Sequence, residues 1–187
     1  MNQLVLSLFP GIGLLDMAFE EEGFCVVRGP DLLWGGDIRR FHPPAGRFDG
    51  VIGGPPCQAF SRFRFLNPIA GKKHGNLIPE FARVVMEARP AWFLMENVPD
   101  APMPDCGAAY GRKRVMLRDI SVGGATSRER AFTFGREGVP VPTFGVQELA
   151  LHAAEPAQAV TTAGRLVPVA LIRDGNGGHK LKRSLTV

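Results

Sequence analysis

Three short apolar runs in the first hundred residues each stop abruptly in glycine, proline or polar residues. This repeated strand-then-break pattern constrains the fold more than any other feature of the chain. The runs are residues 4–8 into Phe9-Pro10-Gly11-Ile12-Gly13, residues 51–52 into Gly53-Gly54-Pro55-Pro56-Cys57-Gln58, and residues 92–95 into Glu96-Asn97-Val98. Between them lie stretches with helical spacing. Leu14, Leu15, Met17, Ala18 and Phe19 form the apolar side of a helix that closes with Glu20-Glu21-Glu22 and stops at Gly23. Leu77, Phe81, Val84, Val85 and Ala88 mark a second helix that runs to about Arg89, with Pro79 tolerated in its first turn. A further strand is expected at residues 24–27. Buried strands alternating with helices indicate βαβ units and an α/β fold around a mostly parallel sheet. Ligands of such sheets bind beyond the carboxyl ends of the strands, so the three breaks should converge on one crevice.

The chain has 187 residues, 45% hydrophobic and 21% charged, which suits one globular domain with a small appendage and argues against disorder. No apolar run approaches the ~20 residues of a membrane helix. The N-terminus lacks the basic start and small-residue cleavage site of a signal peptide, so a cytoplasmic location and no membrane partner are expected. Cys25, Cys57 and Cys106 form no Cys-x-x-Cys and have no nearby histidine pair, so neither a disulfide scaffold nor a metal site is expected. Any cysteine that matters should matter as a thiol. The net charge of +4 is small, but Arg112, Lys113, Arg114, Arg118, Arg128, Arg130 and Arg136 share one stretch, and Lys180, Lys182 and Arg183 cluster near the end. Such clusters form a solvated face or meet a polyanion. After Asn97, prolines at 99, 102 and 104 break regular structure, and residues 115–120 and 131–134 read as later strands, antiparallel in sense. From residue 135 the chain is rich in glycine and proline, with extended pieces at 159–162 and 166–172. Residues 1–136 therefore read as the principal domain and 137–187 as a loop-rich appendage.

The glycine turn at residues 11–13 lacks the third glycine of a dinucleotide fingerprint, because Asp16 stands there, so a pyrophosphate cradle is not indicated. The turn serves packing, or seats a small cofactor. The second break is more specific. Pro55-Pro56 is a stiff lever that holds Cys57 just beyond a strand end, and Gly53 and Gly54 let another molecule approach the backbone. An inert core cysteine needs no such elbow, whereas Cys25 and Cys106 read as small buried hydrophobes.

Residues 53–61, Gly-Gly-Pro-Pro-Cys-Gln-Ala-Phe-Ser, resemble the catalytic loop of the cytosine-C5 DNA methyltransferases, and further motifs follow in family order. Leu8-Phe9-Pro10-Gly11-Ile12-Gly13 resembles the cofactor motif, Gly36-Asp37-Ile38 the adenine-contacting acidic turn, and Gly75-Asn76-Leu77 with Glu80-Phe81 a later cofactor and helix motif. Glu96-Asn97-Val98 resembles the catalytic glutamate motif and Arg128-Glu129-Arg130 the paired-arginine motif. The resemblance implies a Rossmann-like, S-adenosylmethionine-dependent methyltransferase fold that acts on a cytosine flipped out of double-stranded DNA. It implies a catalytic set of Cys57, Glu96, Arg128 and Arg130. It implies cofactor contacts from Phe9, Gly11, Gly13, Asp31, Asp37, Pro55, Asn76 and Leu77, with Asp31 the candidate for the ribose. DNA contacts are implied for Gln58, Ser61, Arg62, Arg128 and Arg130.

The chain also departs from the family. Leu14 replaces a glycine, Thr126 a glutamine, and the stretch between Val27 and Gly36 is short. Residues 156–162 resemble part of a target-recognition domain, and residues 183–187 resemble the start of the ninth motif, after which the tenth would complete the cofactor pocket. A homo-oligomer, or a second polypeptide supplying those motifs, is therefore expected. Two other readings are a catalytically silent protein that binds cofactor or DNA, and a cytosine-C5 RNA methyltransferase.

Overall fold

The computed structural model describes residues 3–56 and 75–138, and beyond them the backbone of four short strands, β7 (Ala157–Val160), β8 (Leu166–Val169), β9 (Ile172–Arg173) and β10 (His179–Lys180). The chain divides into two compact units, residues 1–116 with 130–144 and residues 117–129 with 145–187. Cys57, Gln58, Ser61 and Arg62, with the basic residues Lys182 and Arg183, lie outside the described residues.

Six strands form one sheet: β1 (Leu4–Leu8), β2 (Cys25–Arg28), β3 (Gly50–Gly53), β4 (Trp92–Asn97), β5 (Tyr110–Arg118) and β6 (Glu129–Glu137), in the order β2-β1-β3-β4-β6-β5. The β1–β2, β1–β3 and β3–β4 pairs are parallel, as the alternation of strands and helices predicts, and β4–β6 is antiparallel. Helix α1 (Leu14–Glu21) follows β1, and α2 (Ile78–Ala88) precedes β4. In the second unit, β7 pairs antiparallel with β8, and β9 with β10.

Strands β1 and β3 are buried almost throughout, as a parallel sheet covered by helices requires, whereas β4 alternates buried and half-buried residues along its length. The apolar face of α2, carrying Phe81, Val84, Val85 and Ala88, is fully buried. Phe81 meets Phe93 of β4 edge to face, at a centroid distance of 5.9 Å. The neighbouring strand makes room for that ring. Gly135 of β6 lies opposite Phe93, and a Cβ there would come within 2.1 Å of the ring.

Helix α1 forms where the spacing predicts, and much of its apolar side is uncovered. Leu14 and Met17 are exposed at 68% and 48%, Ala18 is exposed, and the one buried side chain of the helix is Asp16. Leu15 and Phe19 are half-buried, with Phe19 stacked on Trp92 and in edge contact with Phe24. Polar bonds to Asp16 set which side of α1 faces inward, and a count of apolar side chains cannot see them. Cys25, expected to be buried, is exposed because β2 is an edge strand with three of its four residues open to solvent. Cys106 is buried as expected, and burial pushes its thiol up to about 12, so it is inert near neutrality.

Replacing Phe81 by alanine should cost about 3–5 kcal/mol, the usual range for emptying a buried aromatic site. Chemical denaturation of the two proteins checks the loss.

Candidate functional site

The three strand ends lie in one row because the register aligns them: Leu8 of β1 is opposite Gly53 of β3, and Gly53 is opposite Met95 of β4. Beyond β1 the chain turns at once. Phe9 takes a left-handed φ of +55°, a costly backbone for an aromatic residue, and the Gly13 N–H closes the turn on the Pro10 carbonyl at 2.7 Å. Asp31 anchors this turn from outside. Its Oδ2 accepts the Gly11 N–H at 2.9 Å, while its Oδ1 caps a short 3-10 turn (Leu32–Trp34) through the Leu33 N–H. Trp34 reaches back and donates from its indole nitrogen to the Gly11 carbonyl at 3.3 Å.

A shallow cleft open to solvent lies between these loops, lined by Phe9, Pro30, Asp31, Leu32, Gly36, Asp37, Ile38, Pro56 and Leu77. Four of the residues predicted to hold a cofactor, Phe9, Asp31, Asp37 and Leu77, thus share one cavity, and Gly11 joins them through its bond to Asp31. The other three do not line it. Asn76 spends its side-chain oxygen on the Ile78 N–H at the start of α2, Gly13 lies against the Arg28 guanidinium, and Pro56 rather than Pro55 forms the wall. Asp37 caps a second 3-10 turn (Ile38–Arg40) through the Arg39 N–H, and Ile38 is buried behind it.

Arg83 of α2 locks that second turn. Its guanidinium donates to the carbonyls of Ile38 and Phe41 and pairs with Glu80 and Glu87, each at 2.8 Å. Burial alone would raise the Glu87 carboxyl, but hydrogen bonds and charge from Arg83 and His42 outweigh it and hold Glu87 below its ordinary 4.5. Burial alone would likewise lower Arg83, and its two glutamates outweigh that too.

The second and third breaks also meet. Glu96 and Asn97 are the last residues of β4 rather than the first of a loop. Asn97 is buried, and its amide donates to the Pro55 carbonyl at 3.1 Å while its oxygen accepts the Val98 N–H. A Cβ on Gly54 would stand 3.3 Å from Glu96 Oε2, so glycine lets the two loops approach. Glu96 lies opposite Phe132, and Arg130 is two residues away along β6, on the same face and in diagonal reach. Arg130 Nε accordingly pairs with Glu96 Oε1 at 2.8 Å, both side chains being about one quarter to one third exposed. The sequence motifs quoted Asn97 without assigning it work. Its signal was available: an amide at the end of a buried strand has to find a partner.

Arg128 belongs to the second unit. There its carbonyl accepts the Asp119 N–H and its own N–H reaches Thr126 Oγ1. Asp119 organises this loop by accepting the Thr126 hydroxyl at 2.6 Å and the Thr126 N–H at 3.0 Å, and these bonds hold its carboxyl below the usual value. The basic stretch is not wholly free for a partner. Arg112 donates to the Pro104 carbonyl, and Arg114 donates to the Ala101 carbonyl and Thr133. Among the described residues, no group of three or more His, Cys, Asp or Glu side chains is arranged to hold a metal, and no helix is long and apolar enough to cross a membrane.

With this geometry in view, the comparisons with known proteins point one way. The family described as C-5 cytosine-specific DNA methylase matches residues 35–119. The type II methyltransferase M.HgiGI of Herpetosiphon aurantiacus is 31% identical over 119 residues, an alignment that covers 50% of this chain and 88% of that protein. The type II methyltransferase M.NgoPII of Neisseria gonorrhoeae is 33% identical over 112 residues, covering 50% of this chain and 33% of that one. Among solved structures, the Dnmt2 methyltransferase of S. pombe superposes with a TM-score of 0.54 at 16% identity, over 76% of this chain and 52% of that chain, a likeness of fold. The chain belongs to the C-5 cytosine-specific DNA methylase family. It spans about a third of the length of M.NgoPII and of M.FnuDI from Fusobacterium nucleatum.

Two outcomes test this geometry. Asn97→Ala strands the Pro55 carbonyl and should cost about 1–3 kcal/mol of stability, read from thermal unfolding. Because the folded Glu87 carboxyl titrates below its ordinary value, its contribution is present above 4.5 and is lost as the pH falls through the folded value. Glu87→Gln should therefore flatten the acid limb of the stability profile and leave the neutral region parallel to wild type, as unfolding midpoints measured between pH 3 and 7 would reveal.

Proposed function

We propose that this chain transfers a methyl group to carbon 5 of a cytosine in double-stranded DNA, with residues 1–136 holding both S-adenosylmethionine and the flipped base. The carrying observation is the junction of the second and third breaks, where Asn97 ties down the Pro55 carbonyl and Gly54 lies against Glu96. Cys57 follows Pro56 directly in the chain.

The pocket suits an adenosyl group on its own walls. Phe9, Ile38 and Leu77 offer an aromatic and two apolar surfaces to a flat base, and Asp31 and Asp37 offer carboxylate oxygens to hydroxyl and amino donors. The Asp31 oxygens each keep a lone pair beyond the backbone bonds they accept. At Gly11, φ is +54° and nothing lies within 4 Å of where a Cβ would stand, so a ligand can approach the turn. S-adenosylmethionine supplies an electrophilic methyl group when bound there.

Carbon 5 of cytosine is a poor nucleophile, and the protein's task is to activate it. The Cys57 thiolate adds to carbon 6, forming a sulfur–carbon bond and pushing the ring electrons toward carbon 5 as an enamine. Glu96 hydrogen-bonds or protonates N3, where charge builds during this addition. Arg130 holds the Glu96 carboxyl in place through the 2.8 Å pair. Arg128 would meet the base oxygen or the loop. Carbon 5 would take the methyl group as its bond to the cofactor sulfur breaks, leaving S-adenosylhomocysteine; a base would then remove the carbon 5 proton, the electrons return to the ring, and Cys57 leave as thiolate. Gln58, Ser61 and Arg62 would contact the DNA left behind by the flipped base.

Incubating the chain with unmethylated duplex DNA and cofactor labelled in its methyl group tests the reading, with transfer RNA in a parallel reaction. Label should enter DNA, and label entering only RNA would overturn the DNA assignment. Cys57→Ser should abolish transfer and leave cofactor affinity nearly intact, because the thiol acts on the base. A duplex carrying 5-fluorocytosine at the target should form a covalent adduct stable to denaturing gels, since fluorine cannot leave as a proton does. Asp37→Ala should weaken cofactor binding by about 0.5–1.5 kcal/mol in a calorimetric titration, with turnover recovered at high cofactor.

A further inference from the structure

Asp16 is the most deeply buried carboxylate among the described residues, fully inaccessible in the first turn of α1, and nothing in the reaction above uses it. It has two partners. The hydroxyl of Ser7, itself 1% exposed near the end of β1, donates to Oδ1, and Arg28 Nε, at the end of β2, donates to Oδ2 at 3.0 Å. Ser7 and Arg28 are register partners across the parallel β1–β2 pair, so the carboxylate bridges two adjacent strand ends from the helix that follows the first. The residues between Ser7 and Asp16 are the turn that carries Phe9 into the pocket.

That turn is strained. Phe9 sits at φ +55°, and a non-glycine residue persists in this region only where its surroundings over-determine it. On the pocket side, Asp31 holds the Gly11 N–H. On the far side, α1 begins on Gly13, whose carbonyl accepts the Met17 N–H at 2.9 Å, and Asp16 ties its first turn to the ends of β1 and β2. The Arg28 guanidinium also lies against Gly13, where a Cβ would stand 3.0 Å from Nη2. The turn is gripped at both ends.

We propose that Ser7, Asp16 and Arg28 are positioning residues for the cofactor pocket: a polar latch that holds Phe9 in its left-handed backbone and so fixes the aromatic wall before the ligand arrives. The latch touches no ligand itself, and none of its members lines the pocket. It acts by preorganisation, since a turn already in the bound geometry loses less freedom on binding. The inference rests on the reading of the pocket as an adenosyl site.

Calorimetric titration of the full chain with S-adenosylhomocysteine, beside thermal unfolding of each protein, tests it. Asp16→Asn, which keeps the shape and removes the charge, should weaken binding about tenfold. Arg28→Met should weaken it several-fold, and because Arg28 is 57% exposed this second variant can be read even if Asp16→Asn fails to fold. In methyl-transfer assays the loss should fall on KM for the cofactor and not on kcat. Wild-type binding with unchanged affinity in the folded variants, whatever their unfolding midpoints, overturns the latch alone. Absence of binding by wild type overturns the adenosyl reading and the latch with it.

Discussion

The candidate site depends first on the parallel register of β1, β3 and β4. Leu8, Gly53 and Met95 lie side by side, so the residues that follow them leave the sheet along one line. Phe9, Gly54 and Glu96 are separated by more than forty residues from one to the next, yet they come out as neighbours. A parallel sheet imposes this, because each crossover returns the chain to the same edge before the next strand begins. The candidate crevice is a consequence of sheet geometry before it is a consequence of any side chain.

Side chains then fix the loops that the register brings together, and most of the strong contacts are made to backbone. Asn97 holds the Pro55 carbonyl, Asp31 the Gly11 N–H, and Arg83 the carbonyls of Ile38 and Phe41. Exposed ion pairs contribute little by themselves. A charged group that also satisfies loop backbone does more, because it restricts the conformations of the segment that lines the pocket. The Glu96–Arg130 pair follows the same economy of placement: diagonal neighbours on adjacent antiparallel strands meet without any loop having to be ordered.

The sequence by itself determined the fold class, the strand at Leu4–Leu8, the helix ending at Arg89, the antiparallel later strand and the grouping of Phe9, Asp31, Asp37 and Leu77. The first four follow from periodicity and turn residues, which are local or repeated signals, and the grouping is what the resemblance to the cytosine-C5 methyltransferases implies. The tertiary structure alone decided the facing of α1, the exposure of Cys25 and the working partners of Asn97, Asp16 and Arg83. The physical reason is the same in each case. A hydrophobic pattern shows that a helix has an inner side, but a buried carboxylate with two donors outweighs a methionine or an alanine in choosing that side, and its donors lie on strands nine and twelve residues away. Edge position is likewise a property of the sheet as a whole, since among the described residues β2 pairs with a strand on one side only.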